Sequence, residues 1–428
     1  MEDYLRQVLD QIRCKKAHVA IREELESHIC DQKEDYMETG MTAEEAEKAA
    51  VCDMGDPVST GISLDKIHRP KAAWQMILLM TVIFLAALFF QWQAGESSGS
   101  CVHMIAGFCV MLLVCHLDYT RIAAASKIIA SGLVVFGLFS LFYGTVAGGA
   151  IRSVSLPGGM EISICAVLML YVPVYGAVLY SYYGTGYKGL LKAVLWAVPP
   201  VLTAFYLPSL TFVLILSVCM AGILILAVAK GWFHVSKKKV LIVSGISVVL
   251  LPVLLLFAII RAPYQFDRIR QFFSEEPSYI SQTLRQCFTG GIFLGNGVGE
   301  IEGILPDCKS SFILAYLTGT YGYLACIGVC AVLALLMFSI FPAVFRQKNQ
   351  LGLMMGFGSG LIIGVNLLIN LLENFGILPV SQTFLPFFSQ GGSYLFVCYM
   401  LMGIILSVYR YKDVYSFHVP GKMRAEKA

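Results

Sequence analysis

The chain has 428 residues, 57% of them hydrophobic and only 14% charged, with a mean hydropathy of +0.72. Soluble domains carry roughly a quarter charged residues, so this composition excludes an ordinary soluble enzyme and points to an integral membrane protein. The charge is split: residues 1–72 hold 10 Lys and Arg against 16 Asp and Glu, net −6, whereas 73–428 hold 21 against 12, net +9. That asymmetry predicts a small acidic soluble domain over 1–72, a membrane domain over 73–412 and a short tail over 413–428.

The soluble segment reads as helices. Leu5, Val8, Leu9 and Ile12 recur at helical spacing over 2–14, as do Ile21, Leu25, Ile29 and Tyr36 over about 17–38. Thr42 and Glu45 form a capping-box pattern that opens a third helix through Met54, and Gly55-Asp56-Pro57 stops it. A unit this small holds little stability alone. It is hydrophilic from Met1 onward, which predicts no cleavable signal peptide. His18, His28 and Cys30 lack metal-ligand spacing and read as surface residues.

Ten apolar spans follow, at roughly 74–94, 101–117, 123–143, 162–182, 190–206, 209–229, 239–261, 311–341, 351–372 and 393–409. Each is near the ~20 residues that a helix needs to cross a bilayer. The fold class expected is therefore all-α: a polytopic protein of about ten transmembrane helices behind a small helical domain. With the acidic segment inside, fifteen of the 21 basic residues of the membrane domain fall on the inner side, including Lys237, Lys238 and Lys239. The positive-inside rule thus predicts that both termini are cytoplasmic. Trp74, Trp92 and Trp232 fall at span ends, where interfacial anchors belong. Gly352, Gly356, Gly360 and Gly364 recur every four residues, a ridge that lets another helix approach closely.

Nine of the twelve acids of the membrane domain then face outward: Glu96, Glu161, Asp267, Glu275, Glu276, Glu300, Glu302, Asp307 and Glu373. None falls deep within a span, which argues against a proton-coupled transporter with a mid-membrane relay. Chemistry, if present, belongs at the outer surface. Thirteen cysteines are scattered without metal spacing and read as buried thiols. Cys287 and Cys308 share one polar loop, which leaves a disulfide between them open.

That outer loop, 262–310, is long enough to suggest function. Arg261, Arg268, Arg270, Arg285 and Lys309 suit an anionic head group, because guanidinium forks match phosphate oxygens. Gly290, Gly291, Gly295, Gly297 and Gly299 either bring backbone amides to a ligand or make turns.

Residues 1–70, with "IREELESHICDQKEDYMETGMTAEEAEKAAVCDMGDP", resemble the permease prefix (HAAS-type) domain, which implies a cytoplasmic docking or regulatory module. The loop with its following span, "YQFDRIRQFF…TGGIFLGNGVG…LPDCKSSFILAYLTGTYGYLA", resembles the SEDS family of shape, elongation, division and sporulation proteins, RodA, FtsW and SpoVE. "GGAIRSVSL", "LPSLTFV" and "NLLENFGILPVSQTFLPFFSQGGSYL" match further family segments in order, so the resemblance covers about 74–410. It implies glycan-strand polymerisation from lipid II at the outer face of a bacterial cytoplasmic membrane, beside a class B penicillin-binding protein. No nucleic acid and no resident cofactor are implied, and a divalent cation is left open.

The resemblance also assigns positions. Arg152, Tyr264, Gln265, Arg268, Arg270, Lys309, Ser389, Gly391 and Gly392 fall on stretches that imply substrate binding. The family's catalytic Asp position is Ser311, and serine does not accept a proton near neutral pH as a carboxylate does. Ser153 stands for a Trp, Ser209 for an Asp and Gln382 for a Gly, so departures gather at outward positions. Three readings follow. In the first, the chain is a divergent polymerase with Asp307 or Glu302 as base, Asp307 lying one helical turn before Ser311. In the second it is a non-catalytic scaffold or regulator of envelope synthesis, and in the third a flippase for lipid-linked precursor.

Overall fold

The computed structural model describes residues 1–94, 98–147, 150–155, 161–207, 209–234, 267, 270–274, 278–295, 301–381 and 383–415. The N-terminal unit has four helices: α1 (Glu2–Asp10), α2 (His18–Glu38), α3 (Ala43–Asp53) and α4 (Pro57–His68). Leu5, Val8, Ile12, Ile21, Leu25 and Ile29 are all buried, as their spacing predicts. Each such burial is worth about 1.5–3 kcal/mol. The Thr42–Glu45 capping box forms in full and opens α3. Two details depart from the pattern: α1 stops at Asp10, four residues early, and α4 is additional. Asp56 caps α4 through the Ser59 amide at 2.8 Å, with Pro57 in its first turn, so the triplet that ends one helix also starts the next.

The rest is a helical bundle. Among the described residues, eight helices are long and apolar enough to cross a membrane: α5 (Trp74–Gln93), α6 (from Gly99 to His116), α8 (Ser126–Tyr143) after a short α7 (Tyr119–Ala124), α11 (Gly186–Tyr206), α12 (Leu210–Ala229) and three later ones. Those are α15 (Tyr323–Phe345), α16 (Gln350–Asn374) and α17 (Gly392–Arg410). A ninth apolar stretch is two helices, α9 (Ile164–Met169) and α10 (Tyr171–Tyr180), which meet at Leu170. Pro173 explains the break, since it has no N–H to offer the Met169 carbonyl four residues back. The expected span at 239–261 lies outside the described residues. The expected span at 311–341 is split at Gly322 into α14 (Ile313–Tyr321) and α15. Gly322 has φ +91°, and a Cβ there would stand 2.7 Å from the Ile292 carbonyl oxygen, so only glycine fits. That carbonyl accepts the Tyr323 amide at 3.0 Å, which docks the glycine-containing part of the outer loop on the break.

The glycine ridge packs as expected. Cβ atoms built at Gly356 and Gly360 would meet Val344 and Ile340 of α15 at 3.0 and 2.9 Å, with Met337 next to Gly364. Trp74 is 74% exposed, as an anchor should be, but Trp232 is not an anchor: it is 1% exposed. Its indole N–H donates to Gln350 at 3.1 Å, and its ring meets Tyr180 and Tyr183. Burying an indole requires such a partner.

One departure from an all-helical chain is a small antiparallel sheet of β1 (Thr145–Ala147), β2 (Ala150–Ser155) and β3 (Glu161–Ser163) in the order β1-β2-β3. It sits at one end of the bundle and is tied to the start of α17 by the Ser163 amide donating to Ser393 at 3.0 Å. The N-terminal unit clasps the opposite end. Lys16 pairs with Asp118 at 2.6 Å and Lys71 with Asp413 at 2.8 Å. Val414 and Tyr415 are buried there, so the expected tail begins as packed structure.

Candidate functional site

At the sheet-bearing end, residues 301–312 lie against the loop 375–391. Three serine and asparagine side chains hold them together. Ser389 donates its hydroxyl to the Ser310 carbonyl and accepts the Leu385 amide at 2.6 Å. Asn370 and Asn374 of α16 donate to the Ser311 carbonyl at 2.9 and 3.2 Å, and Asn370 also donates to the Thr383 carbonyl at 2.9 Å. The Gln390 amide donates to the Lys309 carbonyl at 3.0 Å. Buried carbonyls need such partners, and two asparagine amides meet that need where no backbone ladder runs.

The expected site residues separate under this geometry. Lys309 donates to the Ala94 carbonyl at 2.8 Å and pairs with Glu302 at 3.0 Å, so its cation is shared between bundle and loop. Ser311 is 7% exposed. Asp307 is exposed and has φ +54°, and its carbonyl accepts the Ser310 and Phe312 amides. The helical turn expected across 307–311 is therefore absent. A left-handed residue reverses the chain, and α14 begins only at Ile313. Asp307 and Ser311 thus differ in exposure instead of sharing a helix face.

Gly391 has φ +147°, and a Cβ built at Gly392 would stand 3.3 Å from the His103 ring, so these glycines form the turn into α17. Arg270 is exposed. Arg152 lies in β2, but its side chain is outside the described residues, as are Tyr264, Gln265, Arg268 and Gln382 altogether. Ser153, at the Trp position, joins a hydroxyl chain: Thr145 is 2.6 Å away and Glu161 accepts at 2.9 Å. Cys287 and Cys308 are buried free thiols. Burial pushes both above the usual thiol range, so neither is primed for disulfide exchange. Among the described residues no cluster of His, Cys, Asp or Glu is placed to hold a metal ion.

Sequence reasoning missed Glu373. Counted only as an outward acid just beyond a span, it lies in the last turn of α16 and is 1% exposed. Its carboxylate accepts from the Ser381 hydroxyl and from the Thr383 hydroxyl and amide, the last two at 2.9 and 3.3 Å. It also lines a cavity of about 260 Å³ between α13 (Tyr279–Thr289), the end of α16 and the loop after it. An acid at the very edge of an apolar run was the available signal.

Comparison with known proteins bears on the whole of this body. The FtsW/RodA/SpoVE family model, described as cell cycle protein, matches residues 70–414. A probable peptidoglycan glycosyltransferase FtsW of Geobacter sp. (strain M18) is 28% identical over 197 residues, 44% of this chain and 53% of that one. The FtsW of Borreliella burgdorferi is 31% identical over 182 residues, 41% of this chain and 50% of that one. The chain thus spans about half the length of these relatives. A chain of a solved peptidoglycan synthase complex superposes with a TM-score of 0.65 at 18% identity, covering 80% of this chain and 98% of the other. The crystal structure of the Thermus thermophilus rod shape determining protein RodA gives 0.56 at 16% identity, covering 81% and 98%. These likenesses share the fold, and with a family match across four-fifths of its length the chain belongs to the FtsW/RodA/SpoVE (SEDS) family of multi-pass membrane proteins.

Proposed function

We propose that this chain works in peptidoglycan synthesis, taking lipid II at the outer face of a bacterial cytoplasmic membrane and polymerising glycan strands. The reaction joins a sugar hydroxyl to an anomeric carbon and expels a lipid diphosphate. It needs a proton acceptor and cations for the departing charge. One observation carries the reading: the 301–312 segment, with Lys309 and Ser311, is clamped onto the 383–391 loop by Ser389, Asn370 and Asn374. That convergence of polar side chains on one segment supports reading it as the site. Curated relatives named as probable peptidoglycan glycosyltransferases support it. A class B penicillin-binding protein is the proposed partner, in keeping with the likeness to a chain of a peptidoglycan synthase complex.

The N-terminal unit, 1–72, is proposed as a cytoplasmic docking module of the permease-prefix kind. Both termini are then inside, and the sheet, the 301–312 segment and the 375–391 loop are outside. Purified, reconstituted protein supplied with lipid II should yield glycan strands on a gel. A second reading, a non-polymerising scaffold of envelope synthesis, is favoured by Ser311 in place of a carboxylate. Strand synthesis by the unmodified chain removes the scaffold reading. Its absence, with gain of synthesis in Ser311→Asp, removes the catalytic one.

A further inference from the structure

The membrane body carries basic residues at the clasp end without acids to match them. Between Asp118 and Asp267 the chain has one acid, Glu161, and that lies in the sheet at the opposite end. Three lysines of this stretch gather at the clasp end: Lys127 in the first turn of α8, and Lys188 and Lys192 in the first two turns of α11. All three are exposed, and none pairs with an acid among the described residues. Lys188, Lys192 and Trp196 follow one another at four-residue steps and so share one stripe of α11. Two aromatic rings join that stripe to α8. The Trp196 indole N–H donates to the Tyr182 hydroxyl at 3.0 Å, and the Lys127 ammonium lies 4.7 Å from the centre of the Tyr182 ring. A cation over a ring face keeps its charge and can meet an anion as well. Leu191 and Leu195 stand beside the stripe, 63% and 57% exposed.

We propose that this surface binds an anionic phospholipid, with its phosphate among Lys127, Lys188 and Lys192 and its acyl chains along Leu191 and Leu195. Charge complementarity selects the occupant: ammonium groups with no acid to neutralise them attract a phosphate, and basic pockets between membrane helices take anionic head groups. The setting selects a lipid over a soluble anion. The lysines stand at the ends of two candidate membrane spans, where a lysine stem lies along apolar surface and lifts its charge to the boundary. Tyrosine and tryptophan rings settle at that same level. The exposed leucines beside them offer chain contact that a free phosphate leaves unused. Orientation in the membrane needs positive charge at one end but not its grouping on a ring-bridged stripe. The inference stands apart from the polymerase reading and holds whichever side of the membrane this end faces.

The test titrates the full-length protein, in a neutral detergent, with phosphatidylglycerol and reads bound lipid by native mass spectrometry. The unmodified chain should retain phosphatidylglycerol and shed phosphatidylcholine. Each lysine near an anionic lipid is worth about fivefold in affinity. Lys127→Gln, Lys188→Gln and Lys192→Gln together should therefore weaken binding by roughly 10²-fold. Replacing the exposed Arg6, Lys48 and Lys66 of the N-terminal unit by Gln removes the same charge elsewhere and should leave binding unchanged. If the triple stripe variant does not fold, Lys188→Gln alone should weaken binding about fivefold, and an unchanged affinity in either stripe variant overturns the inference. Equal loss in the two triple variants, equal retention of both lipids, or full competition by inorganic phosphate also overturns it.

Discussion

The two ends of the membrane body bury acids in opposite ways. At the clasp end, Asp118 meets a full cation, Lys16 at 2.6 Å, along with the Tyr415 hydroxyl and the Thr120 amide. At the other end, Glu373 meets, among the described residues, only the hydroxyls and amides of Ser381 and Thr383. A paired, hydrogen-bonded acid is spent on attachment. An acid held by neutral donors alone has no counter-ion to offset its burial.

The largest effect tests the second end. Asn370→Ala takes the donor from the Thr383 carbonyl and leaves the Ser311 carbonyl to Asn374 alone, and with one buried acceptor left unsatisfied it should cost about 2–3 kcal/mol. Thermal unfolding in detergent reads this. Glycine-ridge variants come next and mark what both ends lean on. Gly360→Val must displace Ile340, 2.9 Å from a Cβ built there, and overpacking of that kind costs about 1–3 kcal/mol.

The clasp gives smaller effects because Lys16 is half-exposed and water screens part of the pair. Asp118→Asn should cost about 1 kcal/mol and speed proteolysis of residues 1–72 without changing the far end. Its pH dependence has a definite sign. Burial alone would raise the Asp118 carboxyl, but hydrogen bonds from Lys16, Tyr415 and Thr120 outweigh it and hold it below the usual range. Stability from the clasp is therefore full above the ordinary Asp value, about 3.9, and is lost as pH falls through the lower folded value. Limited proteolysis from pH 6 down to the acid range, roughly 3 and below, checks this. An unchanged cleavage rate refutes it. The smallest effect is chemical: Cys30 and Cys52 are exposed and should react with maleimide well before buried Cys287 and Cys308.

Much of this was legible because apolar runs and caps are local. The spans, the buried face of α1 and α2 and the Thr42 cap depend on neighbours within a turn or two. What was not legible depended on distant partners. Trp232 reads as an anchor until Gln350, 118 residues away, supplies its acceptor. Glu373 reads as a loop acid until Ser381 and Thr383 fold back over it. Asp307 reads as helical because composition does not announce a left-handed turn in a non-glycine residue. The small sheet hid in three short strands, too brief for alternation to stand out. Ser311 was visible as a departure only through resemblance, and its surroundings were not visible at all.

Helix α17 starts at the turn after Ser389 and ends where Arg410 accepts the Lys71 amide at 3.0 Å. Its 19 residues make an unbroken rod of about 28 Å, without proline and with its one interior glycine, Gly403, packed close to Val114. A push on one face therefore arrives at the other as a shift of the same sense. Whatever grips the first 72 residues has a lever on the far side of the bilayer.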